Sequence, residues 1–408
     1  MDPKTNPFAP GAGTRPPELA GRESILTNAE VALARLRKGL PARGQLLLGL
    51  RGVGKTVLLN RIAAMADELA YRTVVLEAPE ERDLADMIVP PLRKELFQLS
   101  RLEKAKDVAR RALGVLRGFA RAFKVRVGDV EFEVEAEKGT ADSGNLEADL
   151  PELLLSVTRA AKEGDSAVAL FIDEVQYLQK TDLAALIVST HKLAQRGLPF
   201  VLFGAGLPQL AALAGEAKSY AERLFDYPSV GPLDAASARD AIATPVRRQG
   251  AEIGPAALEL IIERTRGYPY FLQEWGYHAW NAAPASPITP TDAEAASGAA
   301  LRAMDEGFFR VRFDRLTPRE KDYLRAMAEL GEGPHRSGDI AELLAMTSTG
   351  AGPLRDGLIK KGMIYSPRYG DNGFTVPMFD EFMKRAMPHW ERRQPPARRR
   401  RRTRDGSR

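Results

Sequence analysis

Two alternating patterns of apolar and polar residues run through positions 17–233. Short, continuous apolar runs typical of buried parallel strands are followed by longer stretches in which apolar residues recur at helical spacing. Strands are predicted near 45–49, 72–77, 167–173, 199–204 and 227–232. The accompanying helices include 22–38, 55–69, 82–98, 150–163 and 181–195. This alternation predicts an α/β fold with a doubly wound parallel sheet.

The segment 93–149 is longer than one strand and its crossover helices require. Its first part, 93–124, carries ten Lys and Arg residues against three acids in a helical pattern. Residues 125–134 alternate polar and apolar positions about a Gly-Asp turn, which predicts a β-hairpin. The insertion is either a contact surface for a partner or nucleic acid, or an added element whose basic face is only solvated.

Strand character disappears after residue 233. Successive helices separated by Gly and Pro are predicted over 234–313, and we interpret them as a helical lid. Residues 314–388 then show three helices and a two-strand hairpin, a pattern typical of a winged helix-turn-helix. The first of these helices opens with Thr317-Pro318-Arg319-Glu320, which has the spacing of a capping box with Pro in the first turn.

A glycine-rich motif lies between the first predicted strand and its helix. The stretch Gly49-Leu50-Arg51-Gly52-Val53-Gly54-Lys55-Thr56 fills every position of the Walker A pattern G-x-x-x-x-G-K-[ST]. Glycines let such a loop curl until its backbone N–H groups converge on phosphate oxygens, and the following helix N-terminus adds partial positive charge. Lys55 can reach the β- and γ-phosphates, and the Thr56 hydroxyl can ligate Mg²⁺. The predicted nucleotide contacts are Gly49, Arg51, Gly52, Val53, Gly54, Lys55 and Thr56.

A partner motif follows in the third predicted strand. The run Ala167-Val168-Ala169-Leu170-Phe171-Ile172 is continuously apolar and ends in two acids, Asp173 and Glu174. Acids at this end of a parallel strand face the crevice in which such sheets bind ligands. Asp173 is therefore the predicted Walker B residue, a nucleotide and Mg²⁺ contact, and Glu174 the predicted catalytic residue that orients the attacking water. The two motifs together predict a nucleotide site equipped for hydrolysis.

Composition narrows the class of protein further. Residues of hydrophobic type make up 44% of the chain and charged residues 28%, an ordinary soluble composition. Because there are no cysteines, disulfides and thiolate metal sites are excluded. No apolar run approaches the ~20 residues of a membrane span, and no secretory signal opens the chain. We expect a cytoplasmic protein with no membrane partner.

The two ends of the chain differ from the rest in composition. Residues 1–16 are rich in Pro, Gly and Thr and predict a disordered arm. From Glu391 to Arg408 there are nine arginines against two acids, a net charge of +7, whereas the whole chain carries +5. This basic tail, 389–408, is predicted to be disordered. It either contacts phosphate backbones non-specifically or only adds solubility.

Taken together, these features resemble the AAA+ ATPases of the origin-recognition initiator type, including bacterial ATP-binding proteins with a C-terminal winged helix. Archaeal ATPases and the STAND group are close relatives. The resemblance covers roughly 17–388 and includes Leu19-Ala20-Gly21-Arg22-Glu23, the Walker pair, the lid and the winged helix. It implies that ATP and Mg²⁺ bind between the base and the lid, and that Leu19, Gly21 and Arg22 contact adenine. Alternatively, residues 19–22 are only a turn before the first helix.

At one position the chain departs from that family's pattern, and at two others it matches a family motif. Initiators place a polar sensor residue after the fourth strand, but here the stretch is Phe203-Gly204-Ala205-Gly206-Leu207, so we expect slow hydrolysis. Arg223 matches a candidate arginine finger, a catalytic residue that stabilises the transferring phosphoryl group, or is a surface ion-pair arginine. Gly267-Tyr268-Pro269 resembles the Gly-x-Pro motif of STAND and archaeal ATPases, which implies that Pro269 contacts the nucleotide.

The predicted winged helix supplies the candidate DNA contacts. Its apolar residues Leu354, Leu358, Ile359 and Phe379 are expected in the core. Cationic side chains are expected to project outward and to contact double-stranded DNA. These candidate DNA-binding residues are Arg336, Arg355, Lys360, Lys361 and Arg368. Many winged helices only bind proteins, and that alternative stays open.

We therefore interpret the chain as an ATP-binding AAA+ ATPase, a slow nucleotide-dependent switch associated with DNA through its winged helix. One alternative is a STAND-like signalling ATPase whose terminal domain binds a protein partner. Another is a helper ATPase of a mobile element or conflict system. A homo-oligomer is compatible with each of them.

Overall fold

The computed structural model describes residues 1–11, 13–14, 16–79, 82–125 and 134–391. The chain divides into two compact units, an N-terminal unit from Met1 to Ala300 and a C-terminal unit from Leu301 to Arg408. Most of the predicted hairpin at 125–134 and the arginine run at 398–402 lie outside the described residues. Within the described ranges, no helix is long and apolar enough to cross a membrane.

The first part of the N-terminal unit alternates strands with helices. In chain order these are α1 (Glu23–Arg37), β1 (Gly44–Leu48), α2 (Lys55–Glu68), β2 (Tyr71–Glu77), α3 (Leu84–Leu99), α4 (Lys106–Ala122), α5 (Leu146–Glu163), β3 (Ala167–Asp173), α6 (Lys180–Gln195), β4 (Phe200–Gly206), α7 (Leu210–Ala217), α8 (Ala221–Leu224) and β5 (Phe225–Asp226).

The strands in the described part of this unit form one parallel sheet of order β2-β3-β4-β1-β5. Every residue of β3 and β4 is buried, as expected for central strands covered by helices on both faces. The order reverses at β1, so the carboxyl ends of β1 and β3 border the crevice in which open α/β sheets bind ligands. The predicted doubly wound α/β fold is confirmed.

The fifth strand differs from its predicted position. It was expected at 227–232, but only Phe225 and Asp226 form a regular ladder with β1. The following residues still run beside β1, since Leu48 N donates to the Pro228 carbonyl at 2.9 Å. Pro228 has no N–H to donate, so it interrupts the regular strand at this edge of the sheet.

The insertion contributes helices to the main core. Apolar side chains of the insertion, such as Leu96, Leu113 and Phe119, belong to the same buried cluster as Leu170 of β3. The basic residues of α4 lie on the opposite face and are exposed; they include Arg110, Arg111 and Arg121. Part of the insertion is therefore core of the N-terminal unit, and its basic face is solvated within this chain.

The second part of the N-terminal unit consists of helices. They are α9 (Ala235–Arg248), α10 (Pro255–Thr265), α11 (Pro269–Ala282) and α12 (Pro290–Ala303). The first eight residues of the chain pack on α11, so the predicted disordered arm at 1–16 is wrong for this stretch. Phe8 is buried beside Gly276, and Trp280 Nε1 donates to the Asp2 carbonyl at 2.9 Å. The buried ring of Phe8 and the hydrogen bonds to α11, including those from Asn6 Nδ2 to the Tyr277 carbonyl and to Asn281 Oδ1, hold this segment.

The C-terminal unit combines short helices with short antiparallel strands. After α12 and a π-helical turn (Met304–Phe309) come α13 (Arg310–Asp314), α14 (Pro318–Glu329), β6 (His335–Arg336), α15 (Ser337–Leu343), α16 (Ser348–Lys360), β7 (Ile364–Tyr365), β8 (Asp371–Phe374) and α17 (Phe379–Ala386). The strands described here form a sheet of order β6-β8-β7. The predicted capping box is present, since Thr317 Oγ1 accepts from Glu320 N and the Glu320 carboxylate accepts from Thr317 N.

Residues after 300 were predicted to belong to the lid as far as 313. They pack instead within the C-terminal unit, because their aromatic side chains join its core. Phe309 lies 5.3 Å from Phe382 and 5.7 Å from Phe379, measured between ring centroids. Arg385 Nε also donates to the Asp305 carboxylate at 2.9 Å. The predicted end of the lid at 313 is therefore about a dozen residues beyond the observed boundary between Ala300 and Leu301.

Candidate nucleotide-binding site

The glycine-rich loop has a backbone that only glycine adopts without strain. It leaves β1 at Leu48 and enters α2 at Lys55. Gly52 and Gly54 have φ values of +84° and +92°, in the left-handed region. A β-carbon on Gly49 would lie 2.2 Å from the Val230 carbonyl oxygen. The loop can thus turn its N–H groups, with those of the α2 N-terminus, toward one anion.

Lys55 is held inside this loop with the two acids nearby. Its side chain is buried, and Nζ donates to the Leu50 carbonyl at 2.9 Å. Burial lowers the pKa of Lys55, while the charges of Glu174 and Asp173 act in the opposite direction. A cation with one carbonyl partner can be redirected toward a phosphate, which would satisfy its remaining N–H donors.

Thr56 and Asp173 meet at the carboxyl end of β3. Thr56 Oγ1 donates to Asp173 Oδ2 at 2.5 Å, and Asp173 Oδ1 accepts from Glu174 N at 2.8 Å. Burial raises the pKa of Asp173, although these hydrogen bonds oppose the increase. Two hard oxygen donors directed at one point suit Mg²⁺, which takes one or two protein ligands and completes its shell with water and phosphate. Across the described ranges, no group of three or more His, Asp or Glu side chains could hold a metal unaided.

Glu174 lies at the turn that follows β3. Its backbone is left-handed, with φ at 52°, so the side chain leaves the strand direction at a fixed angle. Its carboxylate accepts a hydrogen bond from Nε2 of Gln176. Gln176 was not predicted as a site residue. Its position two residues after the paired acids was the available signal, but the contact depends on the turn.

The segment 19–22 lies beside the phosphate loop. Arg22 is buried and donates to the Gly231 carbonyl and, at 3.4 Å, to the Val53 carbonyl. Burial lowers the pKa of Arg22, and the neighbouring charges of Glu23 and Asp234 oppose this. Gly21 has a φ of +68°, and Leu19 is half-buried. Arg22 therefore ties the segment to the loop, and the contact of these residues with adenine stays a prediction.

The lid contacts the phosphate loop through the residues on either side of Pro269. Tyr270 N donates to the Gly52 carbonyl at 3.1 Å, and the Tyr268 hydroxyl donates to the Arg51 carbonyl. Pro269 is the first residue of α11, where a missing N–H costs nothing. The Gly-x-Pro motif therefore lies at the phosphate loop. Tyr268 and Tyr270 were not predicted as site residues, because their contacts are with backbone carbonyls of the loop, which no side-chain motif indicates.

Arg223 lies away from these residues. It precedes β5, whose first residue pairs with Gly44 at the amino end of β1, whereas the phosphate loop leaves the carboxyl end of β1. Arg223 instead lines a cleft together with Arg37, Arg43 and Lys162. Within one chain Arg223 is thus separated by the length of the sheet from the site that it was predicted to serve.

Comparison with known proteins agrees with this geometry. A family model described as the AAA ATPase domain matches residues 18–203. The Walker-type ATPase of Pyrococcus abyssi, at 19% identity, superposes with a TM-score of 0.56 over 91% of this chain and 97% of its own. The chain has a P-loop AAA+ fold. A further model, of a domain of unknown function, matches residues 306–383.

Other solved structures with AAA+ character superpose less closely. The Orc1 protein of Aeropyrum pernix in complex with DNA is 17% identical and covers 92% of this chain and 94% of its own, with a TM-score of 0.46. The RuvB Holliday junction branch migration motor of Thermotoga maritima is 18% identical and covers 94% of this chain and all of its own, with a TM-score of 0.44. No curated protein matches the sequence.

Outside the AAA+ base, the candidate DNA contacts of the C-terminal unit fall into two groups. Arg336, Lys360 and Arg368 are exposed, as predicted. Beside them, Tyr369 is fully exposed at the turn between β7 and β8, although the sequence analysis did not select it. These side chains are available to a partner.

Arg355 and Lys361 do not project outward, so that prediction is wrong for both. Arg355 Nε donates to Asn372 Oδ1 at 2.8 Å, and its terminal nitrogen donates to Ser366 Oγ at 3.1 Å. Lys361 Nζ donates to the Glu320 carboxylate at 2.7 Å. Burial alone would raise the pKa of Glu320, but the bonds from Lys361 and from the capping box outweigh it and lower the pKa. Both cations stabilise the unit internally.

Proposed function

We propose that this protein binds ATP with Mg²⁺ at the phosphate loop, hydrolyses it slowly, and acts as a nucleotide-dependent switch. The observation that supports this best is the hydrogen bond from Thr56 Oγ1 to Asp173 Oδ2, 2.5 Å long, beside the buried Lys55. A chance glycine-rich turn would not bring a hydroxyl, a carboxylate and a desolvated cation together at a helix N-terminus.

Each residue has a distinct part in this proposal. Lys55 exchanges its carbonyl partner for phosphate oxygens, and Thr56 and Asp173 hold Mg²⁺, which neutralises phosphate charge when bound. Glu174 accepts a hydrogen bond from the attacking water and orients it toward the γ-phosphate. The lid tyrosines 268 and 270 bind loop carbonyls, so a ligand that reshapes the loop would also bias the lid.

Two substitutions separate binding from turnover. Lys55→Ala removes the mobile cation and should weaken ATP binding strongly in a calorimetric titration, whereas Lys38→Ala, an exposed lysine on the same unit, should bind as the unmodified protein does. Glu174→Gln should keep ATP affinity and lose most phosphate release, because the amide cannot accept from water as a carboxylate does. Equal ATP affinity of Lys55→Ala and the unmodified protein would refute the assignment.

For the C-terminal unit we propose a winged helix that contacts duplex DNA. Helices α14, α15 and α16 with a small antiparallel sheet have the element order of that motif. The support for DNA is the exposed set Arg336, Lys360 and Arg368, with Tyr369 at the tip of the β7–β8 turn. Cations around an exposed aromatic ring fit a phosphate backbone and a groove edge.

The DNA proposal is tested on the chain ending at Glu391, because the basic tail alone would bind phosphate backbones. Lys360→Glu with Arg368→Glu should abolish salt-sensitive duplex binding while leaving ATP affinity unchanged. Arg319→Glu with Lys384→Glu makes the same charge change at other exposed positions of the unit and should cost much less. If the two pairs weaken binding equally, the effect is one of net charge and the proposed contact surface is wrong.

A second candidate is a signalling ATPase whose C-terminal unit binds a protein. It would use the same exposed surface, including Tyr369, to contact a protein instead of DNA. Failure of the tailless chain to bind duplex DNA at low salt with ATP present would favour this alternative.

A further inference from the structure

The end of β4 has no polar side chain where a residue could sense the γ-phosphate. Its last residues are Gly204, Ala205 and Gly206, followed by Leu207. The space is not empty, because the side chain of Gln176 reaches into it from the turn after β3. Gln176 Oε1 accepts from Leu207 N at 3.0 Å, and its Nε2 donates to the Glu174 carboxylate.

Gly206 is shaped to this side chain. A β-carbon on Gly206 would lie 2.6 Å from Gln176 Oε1 and 2.9 Å from Leu210 Cδ2, both closer than real contacts allow. The φ of Gly206 is not in the left-handed region, so its backbone does not require glycine. The absence of a side chain at position 206 therefore leaves room for the amide of Gln176.

We propose that Gln176 is the positioning residue for Glu174 in ATP hydrolysis, supplying from the β3 turn the amide that the end of β4 lacks. The inference rests on the proposed function. One carboxylate oxygen of Glu174 is fixed by the amide N–H, and the other lone pairs stay available to water. The amide itself is fixed at its other end by the backbone N–H of Leu207, the residue that follows β4.

A neutral donor suits this task. The Glu174 carboxylate also interacts electrostatically with the buried cation Lys55. A hydrogen bond from the neutral Gln176 amide holds the Glu174 carboxylate without adding a positive charge that would offset its negative charge. Gln rather than Asn spans from Glu174 to Leu207, because the shorter side chain lacks one methylene.

The first test replaces Gln176 with methionine, which keeps the length of the side chain and removes the amide. We expect kcat to fall about 10- to 100-fold, the size of effect that misplacing a catalytic group produces, while the Kd for ATP stays within about twofold. Gln179→Met is the matched control, since Gln179 is exposed and makes no capping bond at the start of α6. Thermal melting of each variant shows that it is folded.

A second variant moves Gln176 without removing it. Gly206→Ala places a methyl group against Gln176 Oε1 and Leu210 Cδ2, and the displaced Gln176 amide should lower kcat as Gln176→Met does. The double variant should be no slower than the slower single one, because both changes break the same contact. Additive losses would mean that the two residues act separately and would overturn the inference.

The outcomes distinguish this inference from the proposed function. If the unmodified protein releases phosphate no faster than Lys55→Ala, the proposed hydrolysis fails and the positioning role fails with it. If the unmodified protein turns over and Glu174→Gln does not, while Gln176→Met keeps the normal kcat, hydrolysis stands and the role of Gln176 is refuted.

Discussion

Replacing Arg355 with alanine should loosen the C-terminal unit without removing a DNA contact. The guanidinium holds Asn372, which is fully buried, at 2.8 Å and Ser366 at 3.1 Å. Leaving the Asn372 oxygen buried without this charged donor costs about 1–3 kcal/mol, and the lost bond to Ser366 adds about 0.5–1.5 kcal/mol. We expect the free energy of unfolding of this unit to fall by about 2–3 kcal/mol.

Amide hydrogen exchange measures this locally. In α14 and α16, exchange through opening of the unit should accelerate roughly 30- to 150-fold, because about 1.4 kcal/mol corresponds to a factor of ten. Arg368→Ala, at an exposed position, should change the opening free energy by less than about 0.5 kcal/mol. At temperatures where both variants are folded, Arg368→Ala should weaken DNA binding and Arg355→Ala should not. Normal protection combined with weakened DNA binding in Arg355→Ala would refute the structural role.

Three further predictions address other parts of the molecule. Gly49→Ala should lower ATP affinity at least about tenfold in a calorimetric titration, because its β-carbon would lie 2.2 Å from a carbonyl oxygen and the loop would have to move. The fold lowers the pKa of Glu320, so ionised Glu320 contributes to the free energy of unfolding. This contribution is fully present above the unfolded pKa of about 4.3 and is lost as the pH falls through the lower pKa of the folded state. Acid titration from pH 6 to 3 should therefore destabilise the unmodified protein more steeply than Glu320→Gln, and parallel curves would contradict this. If Arg223 serves the nucleotide of a second copy, mixing Arg223→Ala with Lys55→Ala should restore phosphate release that neither variant shows alone; no recovery would exclude the role.

What could be predicted from the sequence was the part whose chemistry is contiguous in the chain. The phosphate loop needs glycines, a lysine and a hydroxyl within eight consecutive residues, and the acids follow an apolar run directly. Thr56 and Asp173 could be paired in advance because the carboxyl ends of parallel strands lie at the same edge of the sheet, although β4 separates β1 from β3. The doubly wound sheet follows from the same alternation of strands and helices.

What could not be predicted depends on partners that are distant in sequence. Arg355 lies on a helix face that the periodicity marks as polar, but its acceptors Asn372 and Ser366 come from the β7–β8 region. The helical pattern separates apolar from polar positions and cannot show whether a polar position faces water or a buried amide. The segment around Phe8 was predicted to be disordered for a related reason. One apolar residue among Pro and Gly gives no periodicity that would indicate its burial.

The contacts of Arg51 explain why hydrolysis and lid position should be linked in this protein. Its guanidinium donates to the Tyr177 hydroxyl, next to Gln176 in the turn after β3, and its carbonyl accepts from the Tyr268 hydroxyl of the lid. One residue of the phosphate loop thus touches both the turn that carries Glu174, the proposed catalytic residue, and Tyr268, which precedes α11. We expect a ligand that shifts the loop to affect both contacts, because both are made by the same residue. We therefore expect that a variant which weakens the contact between Tyr268 and Arg51 will alter kcat as well as nucleotide affinity, whereas an independent lid would alter affinity alone.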